Sequence, residues 1–441
     1  MALHTRPTVG ILTLGCKVNQ YESEAIAEAF VKNGVDVRSP DEPCDLYVIN
    51  TCTVTAESDR KAGQFIRRAA KCNPNAFLLV TGCFSQTSPE TVAKIEGVDY
   101  ICGNTNKLSV VTVGLDLLAT GKKPNAPIIA VGDVQSAPFE AMTITRFDRT
   151  RAYVKIEDGC ENRCTYCAIP GARGKVRSKP LCEVVREVER LVAGGCREVV
   201  LTGIETASYG RDLDGETLAD LLLSVDKIEG LERVRLGSLD PSLMREDFVN
   251  KLPALRTLCP HFHLSMQSGS AHILAAMKRK YNPEQALAGI ARLRAALPNV
   301  ELTTDFIVGF PGESDADFAA TMEFARRAEF LQMHVFAYSR RAGTPAAAMT
   351  NQLPKALKKE RSATLSALGD ELRNARLVRA LSEPLRPVLF ETYENGVATG
   401  HTKEFFEVAV QSDVPLSGTL HTVKLTGIEN GHLVGVIVKD A

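Results

Sequence analysis

Between Arg151 and Met349, six short apolar runs alternate with amphipathic segments of helical period, and few architectures accommodate that alternation. The runs are RAYVKIEDG, REVVLTG, RVRLGS, HFHLSMQSGS, VELTTDFIVGF and LQMHVFAYS, with helical segments such as CEVVREVERLVAGG and YNPEQALAGIARLRAAL between them. The pattern predicts parallel strands joined by crossover helices. Six units instead of eight predict a partial (β/α)6 barrel. Gly, Ser, Gln, Asp and Pro gather at the C-terminal ends of the runs, the rim where such barrels bind ligands.

Upstream, from Val9 to about Ala119, VGILTLG, DLYVINTC and FLLVTGC alternate with helical stretches, one of them basic, and predict an α/β domain with a parallel sheet. The Pro-, Gly- and Ala-rich stretch that follows reads as a linker. Downstream of a basic helical connector, period-two runs punctuated by Gly and Pro predict a small all-β barrel. The expected divisions are therefore 7–120, a linker at 121–145, 146–378 and 379–441. A chain of 441 residues that is 44% hydrophobic can bury cores for several domains. No apolar run approaches the roughly 20 residues that span a bilayer, and the N-terminus lacks a signal peptide's apolar stretch. The expectation is a cytoplasmic protein with no membrane partner.

In a reducing compartment twelve cysteines do not imply disulfides, so their clustering points to metal or redox chemistry. Cys160, Cys164 and Cys167 form C-x3-C-x2-C in DGCENRCTYCAIP, directly after the first barrel run, with no fourth cysteine or histidine in the stretch. A structural zinc site closes its tetrahedron with four ligands, and no histidine lies between His4 and His261, so zinc is the weaker alternative. A cubane of four irons held by three thiolates keeps one iron open, as catalytic zinc sites keep one position open. Cys16, Cys52 and Cys83 repeat the arrangement at a distance: TLGC, INTC and VTGC each place a cysteine just past an apolar run. Strand ends of a parallel sheet converge on one crevice, which would bring the three together; the alternative is three buried free thiols. Cys44, Cys72, Cys102, Cys182, Cys196 and Cys259 share no such placement and read as small hydrophobes.

C-x3-C-x2-C after the first strand of such a barrel resembles the radical S-adenosylmethionine superfamily over about residues 151 to 350. The resemblance implies that the open iron binds the amino acid end of the cofactor. Gly203 and Glu205 in VLTGIE, Gln267 and Ser268 in SMQSGS, and Asp305, Ile307 and Gly309 in DFIVGFPGE fall where cofactor-lining residues are expected. The alternative is that Gly and Ser simply end strands there. Glu205 stands where relatives more often carry Asn, Asp or His.

Over its whole length, LGCKVNQYESE, VINTCTVT, VTGCFSQ, DGCENRCTYCAIP and the terminal barrel occur in the order seen in the tRNA and protein methylthiotransferases. LGCKVNQYESE, SMQSGS with MKRKY, and YSRRAGTPAA resemble the branch acting on N6-threonylcarbamoyladenosine beside the tRNA anticodon. The resemblance implies two 4Fe-4S clusters, on Cys160, Cys164 and Cys167 and on Cys16, Cys52 and Cys83, and a TRAM-like terminal barrel. It also implies S-adenosyl-L-methionine, an external one-electron reductant of flavodoxin or ferredoxin type, a sulfur donor and a tRNA anticodon stem-loop. A deoxyadenosyl radical would take hydrogen from adenine C2, where a methylthio group is delivered; no catalytic acid or base is called for, and no Ser/His/Asp set or carboxylate pair is evident. Methylthiolation of a ribosomal protein side chain or of isopentenyladenosine tRNA are alternatives, as are a non-catalytic iron-sulfur module and a radical methylase that inserts no sulfur.

Binding tRNA requires cations at phosphates. Arg173, Lys175, Arg177 and Lys179 in GARGKVRSK are the candidate contacts, a solvated basic face being the alternative. The terminal barrel, from Pro387 on, has three lysines against seven carboxylates, a net charge of −4, so its RNA contacts would be few and local, with stacking by Tyr393, Phe405 or Phe406, or the connector Pro354 to Arg386 would carry the affinity.

Overall fold

The computed structural model describes residues 6–147 and 149–438. Lys439 and Asp440, counted in the terminal charge, lie outside the described residues.

Six parallel strands form the N-terminal sheet: β1 (Thr8–Thr13), β2 (Asp36–Arg38), β3 (Leu46–Thr51), β4 (Phe77–Gly82), β5 (Tyr100–Cys102) and β6 (Ile128–Ala130), in the order β2-β1-β3-β4-β5-β6. LYVINT and FLLVTG read as continuous apolar runs because helices cover both faces of the central strands. Ile26 and Phe30 of helix α1 (Lys17–Lys32) and Val110 and Leu117 of the helix Ser109–Thr120 pack on Val9, Val48 and Leu79. Ala62 and Ile66 of helix α2 (Ala56–Cys72) pack on Ile49, Leu78 and Val80 from the other side. The stretch 121–145 is thus not wholly a linker. Ile128–Ala130 pairs with β5 and extends the sheet, a three-residue strand too short to show a period in the sequence.

The six expected barrel strands are present as β7 (Arg151–Lys155), β10 (Glu198–Thr202), β11 (Arg233–Leu236), β12 (His261–Gln267), β13 (Glu301–Val308) and β14 (Gln332–Ala337), while β8 (Glu157–Asp158) and β9 (Arg177–Ser178) form a small antiparallel pair. They assemble as two parallel triplets, β11-β10-β7 and β12-β13-β14, joined by bridges between Val234 and Leu258 and between Leu239 and Leu264. Alternate residues, among them Val154, Leu201, Leu264, Phe306 and Val308, enter the core beneath the helices. The intervening set, including Lys155, Glu157, His263 and Asp305, belongs to the concave face.

The helix Lys355–Ala380 leads into a closed five-stranded barrel, β15 (Leu385–Glu394), β16 (Val397–His401), β17 (Glu407–Gln411), β18 (Leu420–Glu429) and β19 (His432–Ile437), ordered β15-β16-β17-β19-β18. It docks where β7, β11 and β12 begin. Phe405, in the left-handed region at φ 80°, stacks between His261 (4.4 Å) and His401 (4.6 Å), with the guanidinium of Arg235 5.0 Å from its ring centre. Phe405 therefore serves this junction and Phe406 is buried in the terminal barrel's own core, so neither offers a stacking surface for RNA.

Candidate metal centre

β1, β3 and β4 are neighbours in register, and their C-terminal ends deliver the three separated cysteines to one edge of the sheet. Cys16 caps α1, Cys52 follows β3 directly, and Cys83 opens the helix α3 (Cys83–Thr87). Gly15, at φ +104°, permits this approach: a Cβ there would lie 2.9 Å from Sγ of Cys52. Asn19 braces the loops, donating from Nδ2 to the carbonyls of Leu14 (2.7 Å) and Thr51 (2.9 Å). Burial pushes the Cys52 thiol up to about 11, and the charges of Cys83 and Cys16 add to the rise. Cys16 is exposed, yet the protein around it raises its thiol, and Arg173 pulls it back in part. Two donors reach Cys83: Nε of Arg173 at 3.3 Å and Nδ2 of Asn104 at 3.5 Å. Thiols that resist ionising side by side, met at Cys83 by cationic and amide donors, suit a shared metal centre, whose assembly would release the thiol protons.

The second triad lies in the loop after β8. Gly159 (φ +89°) turns the chain so tightly that a Cβ would meet the Lys175 carbonyl at 1.8 Å, and Cys160 N donates to Gly174 O at 2.9 Å. Cys167 N donates to Cys164 O (3.1 Å), a tight turn between these two cysteines. Sγ of Cys164 accepts from Nη1 of Arg279 (3.2 Å), and Sγ of Cys167 accepts from Ile169 N (3.4 Å). Burial first, then the Glu205 carboxylate, pushes Cys160 up to about 12.

Around Cys160 the rim carries unspent polar capacity. Glu205 Oε2 stands 4.0 Å from Cys160 Sγ and accepts from Nδ2 of Asn162 at 2.5 Å; burial and then Asp240 push its carboxyl up to about 7. Glu157 Oε2 accepts from Glu205 N (2.7 Å), whereas Glu157 Oε1 and Asn162 Oδ1 are buried without a partner among the described residues. A Cβ on Gly203 would collide with Glu157 Oε2 at 2.5 Å. Three thiols, two orphaned buried oxygens and a glycine-lined wall fit a cluster with a polar cofactor beside it.

The remaining rim residues divide. Gln267, at φ 65°, sits where the β12–β13 register shifts, half-buried on the concave face. Asp305 pairs with Nε2 of His263 at 3.2 Å, and Ile307 packs beside Phe310 and Tyr338. Gly309 donates its N–H to Glu313 (2.7 Å), and a Cβ would meet Lys358 Cγ at 2.4 Å. Ser268 is a correction: it is buried, its hydroxyl lies 3.3 Å from Thr321 Oγ1 and accepts from Ser270 N, so it braces the turn and does not line the rim.

The basic motif also requires correction. Arg173, Arg177 and Lys179 are buried, and of the four RNA-contact candidates only Lys175 is exposed. Arg173 pairs with Glu22 (2.6 Å) and Asp158 (3.1 Å), Arg177 donates to the Arg173 carbonyl (2.7 Å), and Lys179 pairs with Glu187. Glu22 also holds Lys155 (2.8 Å) and Lys107, so the network joins the N-terminal domain to the barrel. Exposed cations lie elsewhere: Arg60, Arg67, Lys71 and Lys94 line a groove of about 780 Å³ along α2.

An open parallel barrel with a C-x3-C-x2-C loop at its rim defines a radical S-adenosylmethionine protein, and residues 154–325 match the Radical SAM superfamily. That class carries a 4Fe-4S cluster and S-adenosylmethionine. Residues 8–103 match the uncharacterized protein family UPF0004. The chain is 38% identical over 95% of its length, and 93% of the relative's, to the threonylcarbamoyladenosine tRNA methylthiotransferase MtaB of Bacillus subtilis. It is 35% identical over 97% of its length, and 98% of the relative's, to the tRNA-2-methylthio-N(6)-dimethylallyladenosine synthase of Carboxydothermus hydrogenoformans. Among solved structures, the radical S-adenosylmethionine methyltransferase TsrM of Kitasatospora setae shares the fold at a TM-score of 0.57, with 15% identity, over 78% of this chain and 77% of that one. The chain belongs to the tRNA methylthiotransferase family. No helix among the described residues is long and apolar enough to cross a membrane.

Proposed function

We propose that the protein adds a methylthio group to C2 of N6-threonylcarbamoyladenosine at position 37 of tRNA, next to the anticodon. The observation that carries the reading is the presence of two three-thiol sites, one per domain, with the domains joined beside the first: Arg173 belongs to the barrel and donates to Cys83 of the N-terminal triad. The near-full-length relative that prints this substrate in its name supports the same branch. Cys160, Cys164 and Cys167 would hold the cluster that binds S-adenosylmethionine, and Cys16, Cys52 and Cys83 a second cluster. When bound, these groups supply a deoxyadenosyl radical and a reactive sulfur.

The chain's own residues then bind and orient. Gly203 lets the cofactor approach the strand end, and Glu205 and Asn162 present acceptors beside Cys160. Arg279, held by Asp240 at 2.7 Å, offers a fixed positive charge to Cys164. Phe405, stacked between His261 and His401, holds the terminal barrel against the far end of the core. A flavodoxin- or ferredoxin-type reductant and a sulfur donor complete the reaction's balance.

The test is anaerobic turnover of the reconstituted protein on three substrates, read by mass spectrometry. These are stem-loops bearing N6-threonylcarbamoyladenosine or isopentenyladenosine, and a ribosomal protein. A methylthio product on the first is expected. Product only on either of the others would reassign the branch.

A further inference from the structure

Beside the C-terminal rim of the barrel lies a groove of about 930 Å³, walled by the turns Thr206–Ser208 after β10 and Pro241–Leu243 after β11, the segment after β12 and the helix Pro283–Ala296. Five cations line it, Arg211, Arg245, Lys251, Lys280 and Arg292, against the single carboxylate of Asp247. The chain as a whole carries a formal charge of −1, so a net of +4 in one hollow is a local concentration. Arg245 is matched by Asp247 at 3.3 Å, and Arg292 lies 4.0 Å from Glu246. Arg211, Lys251 and Lys280 are exposed, and among the described residues their side chains have no ion pair and no hydrogen bond. Like charges gathered in a hollow raise the local potential and draw an anion to it.

The groove adjoins the second cysteine triad. Asp240 Oδ2 accepts from Nη2 of Arg279 (2.7 Å), whose Nη1 reaches Cys164 Sγ at 3.2 Å, while Asp240 Oδ1 accepts from Ser242 N (2.9 Å) in the groove wall. Tyr281, which also lines the groove, accepts from Arg279 Nε at 3.2 Å. Asp240 and Tyr281 thus touch the thiol's cation on one side and the groove on the other. A base presented to the rim leaves its own strand outside, and the phosphates of that strand need cations along the rim's outer edge. The three unmatched cations stand on separate walls: Arg211 follows β10, Lys251 follows β11 and Lys280 follows β12. A narrow nucleic-acid strand lying in the groove meets all three, whereas the convex face of a folded protein would have to enter the hollow.

We propose that this groove receives the phosphates of the tRNA strand flanking the modified adenosine, with Arg211, Lys251 and Lys280 as the contacting cations. This rests on the tRNA substrate proposed above. It supplies the cationic contact that GARGKVRSK, largely buried, does not. Contacts of this kind are electrostatic and independent of sequence, so they set affinity and its salt dependence and not the choice of N6 substituent.

The test is anaerobic fluorescence-anisotropy titration of the reconstituted full-length protein with an anticodon stem-loop bearing N6-threonylcarbamoyladenosine, repeated over a range of salt concentrations. The triple variant Arg211→Gln, Lys251→Gln, Lys280→Gln should lose roughly tenfold or more in affinity, with a plot of log affinity against log salt shallower by about 2 to 3. Exchanging lysine and arginine at the same three positions keeps the charges and should keep most of the binding. Arg67→Gln with Lys71→Gln, in the groove along α2, should bind as wild type does. Should the triple variant lose iron, Lys251→Gln alone reads the same slope, shallower by about one. A triple variant that binds with wild-type affinity and slope overturns the inference, as does a loss confined to the α2 pair. Unchanged RNA binding with slowed reduction by flavodoxin, but not by dithionite, assigns the groove to an acidic electron carrier and overturns it too. In each of these cases the proposed activity stands; a wild type that neither binds nor methylthiolates the stem-loop removes that activity itself.

Discussion

Nε of Arg173 donates to Sγ of Cys83 at 3.3 Å, so a residue of the barrel, shortly after its cysteine loop, touches a thiol of the other domain. The same guanidinium pairs with Glu22 and Asp158 at full burial. Both carboxylates stay ionised by virtue of their cations, Arg173 the largest contributor against the penalty of burial. Arg173→Ala strips one of those cations and leaves Lys155 and Lys107 to compensate in part. The expected loss is about 3 kcal/mol, read as a lower urea midpoint, with reduced iron retention. Arg173→Lys keeps the charge but cannot span Cys83, Asn19 and two carboxylates at once, so it should fall between the two. A variant as stable as wild type would show that the network does not hold the domains together.

If each triad holds one cubane, intact protein carries about eight irons, and Cys16→Ala and Cys160→Ala each remove about four. Iron and sulfide analysis after anaerobic reconstitution reads this directly. An unchanged count in either variant contradicts the ligand assignment for that triad. Gly15→Ala tests the first triad without touching a thiol. Its Cβ would press on Cys52 from a left-handed backbone, so it should behave like Cys16→Ala in iron content while leaving the second triad loaded.

The strand ends were legible because apolar runs and terminal glycines mark them without help from tertiary structure. β3 and β4 stop directly before Cys52 and Cys83, and the six barrel strands fall within the six runs. β5 and β6 were not legible, since three residues carry no period; Cys102, read as a small hydrophobe, is a buried strand end whose Sγ lies 3.1 Å from Thr81 Oγ1. The basic motif misled for a different reason. Nothing acidic lies within GARGKVRSK, and the partner of Arg173 is Glu22, in a polar stretch of α1. That stretch carried the missing signal: Asn19, Glu22 and Ser23 are buried although the apolar face of α1, Ile26 and Phe30, already packs on the sheet. A helix with a buried polar face as well as a buried apolar one must pack between two bodies.

Phe405 joins the terminal barrel to the core through two stacked histidine contacts and the guanidinium groups of Arg151 and Arg235. Phe405→Ala should cost about 2 kcal/mol, from the stacked pairs and cation–π contacts together. Because φ is 80° there, Phe405→Gly relieves backbone strain that Ala retains, so the glycine variant should lose less than the difference in side chain implies. Limited proteolysis checks the location of the effect: both variants should release the segment after Ala380 faster than wild type. Equal cleavage rates would mean that Phe405 does not secure the junction.

Asp317 fixes the turn that follows β12. Its carboxylate accepts from Ser314 N (3.0 Å) and from the hydroxyls of Ser314 and Ser270 (2.6 Å each), clamping Ser268 to Ser270 against the helix Asp315–Ala328. Burial alone would raise its pKa, but these hydrogen bonds outweigh it and hold the carboxyl well below the usual range. A group depressed in the folded state contributes stability that is complete above its unfolded value, near ~3.9, and drains away as pH falls below that toward the folded value. Asp317→Asn should therefore be less stable than wild type by about 1–2 kcal/mol at pH 7. The gap in melting temperature should narrow steadily as pH is lowered from about 5 to about 3. A gap that stays constant over that window would show that the carboxylate's charge does not anchor the turn.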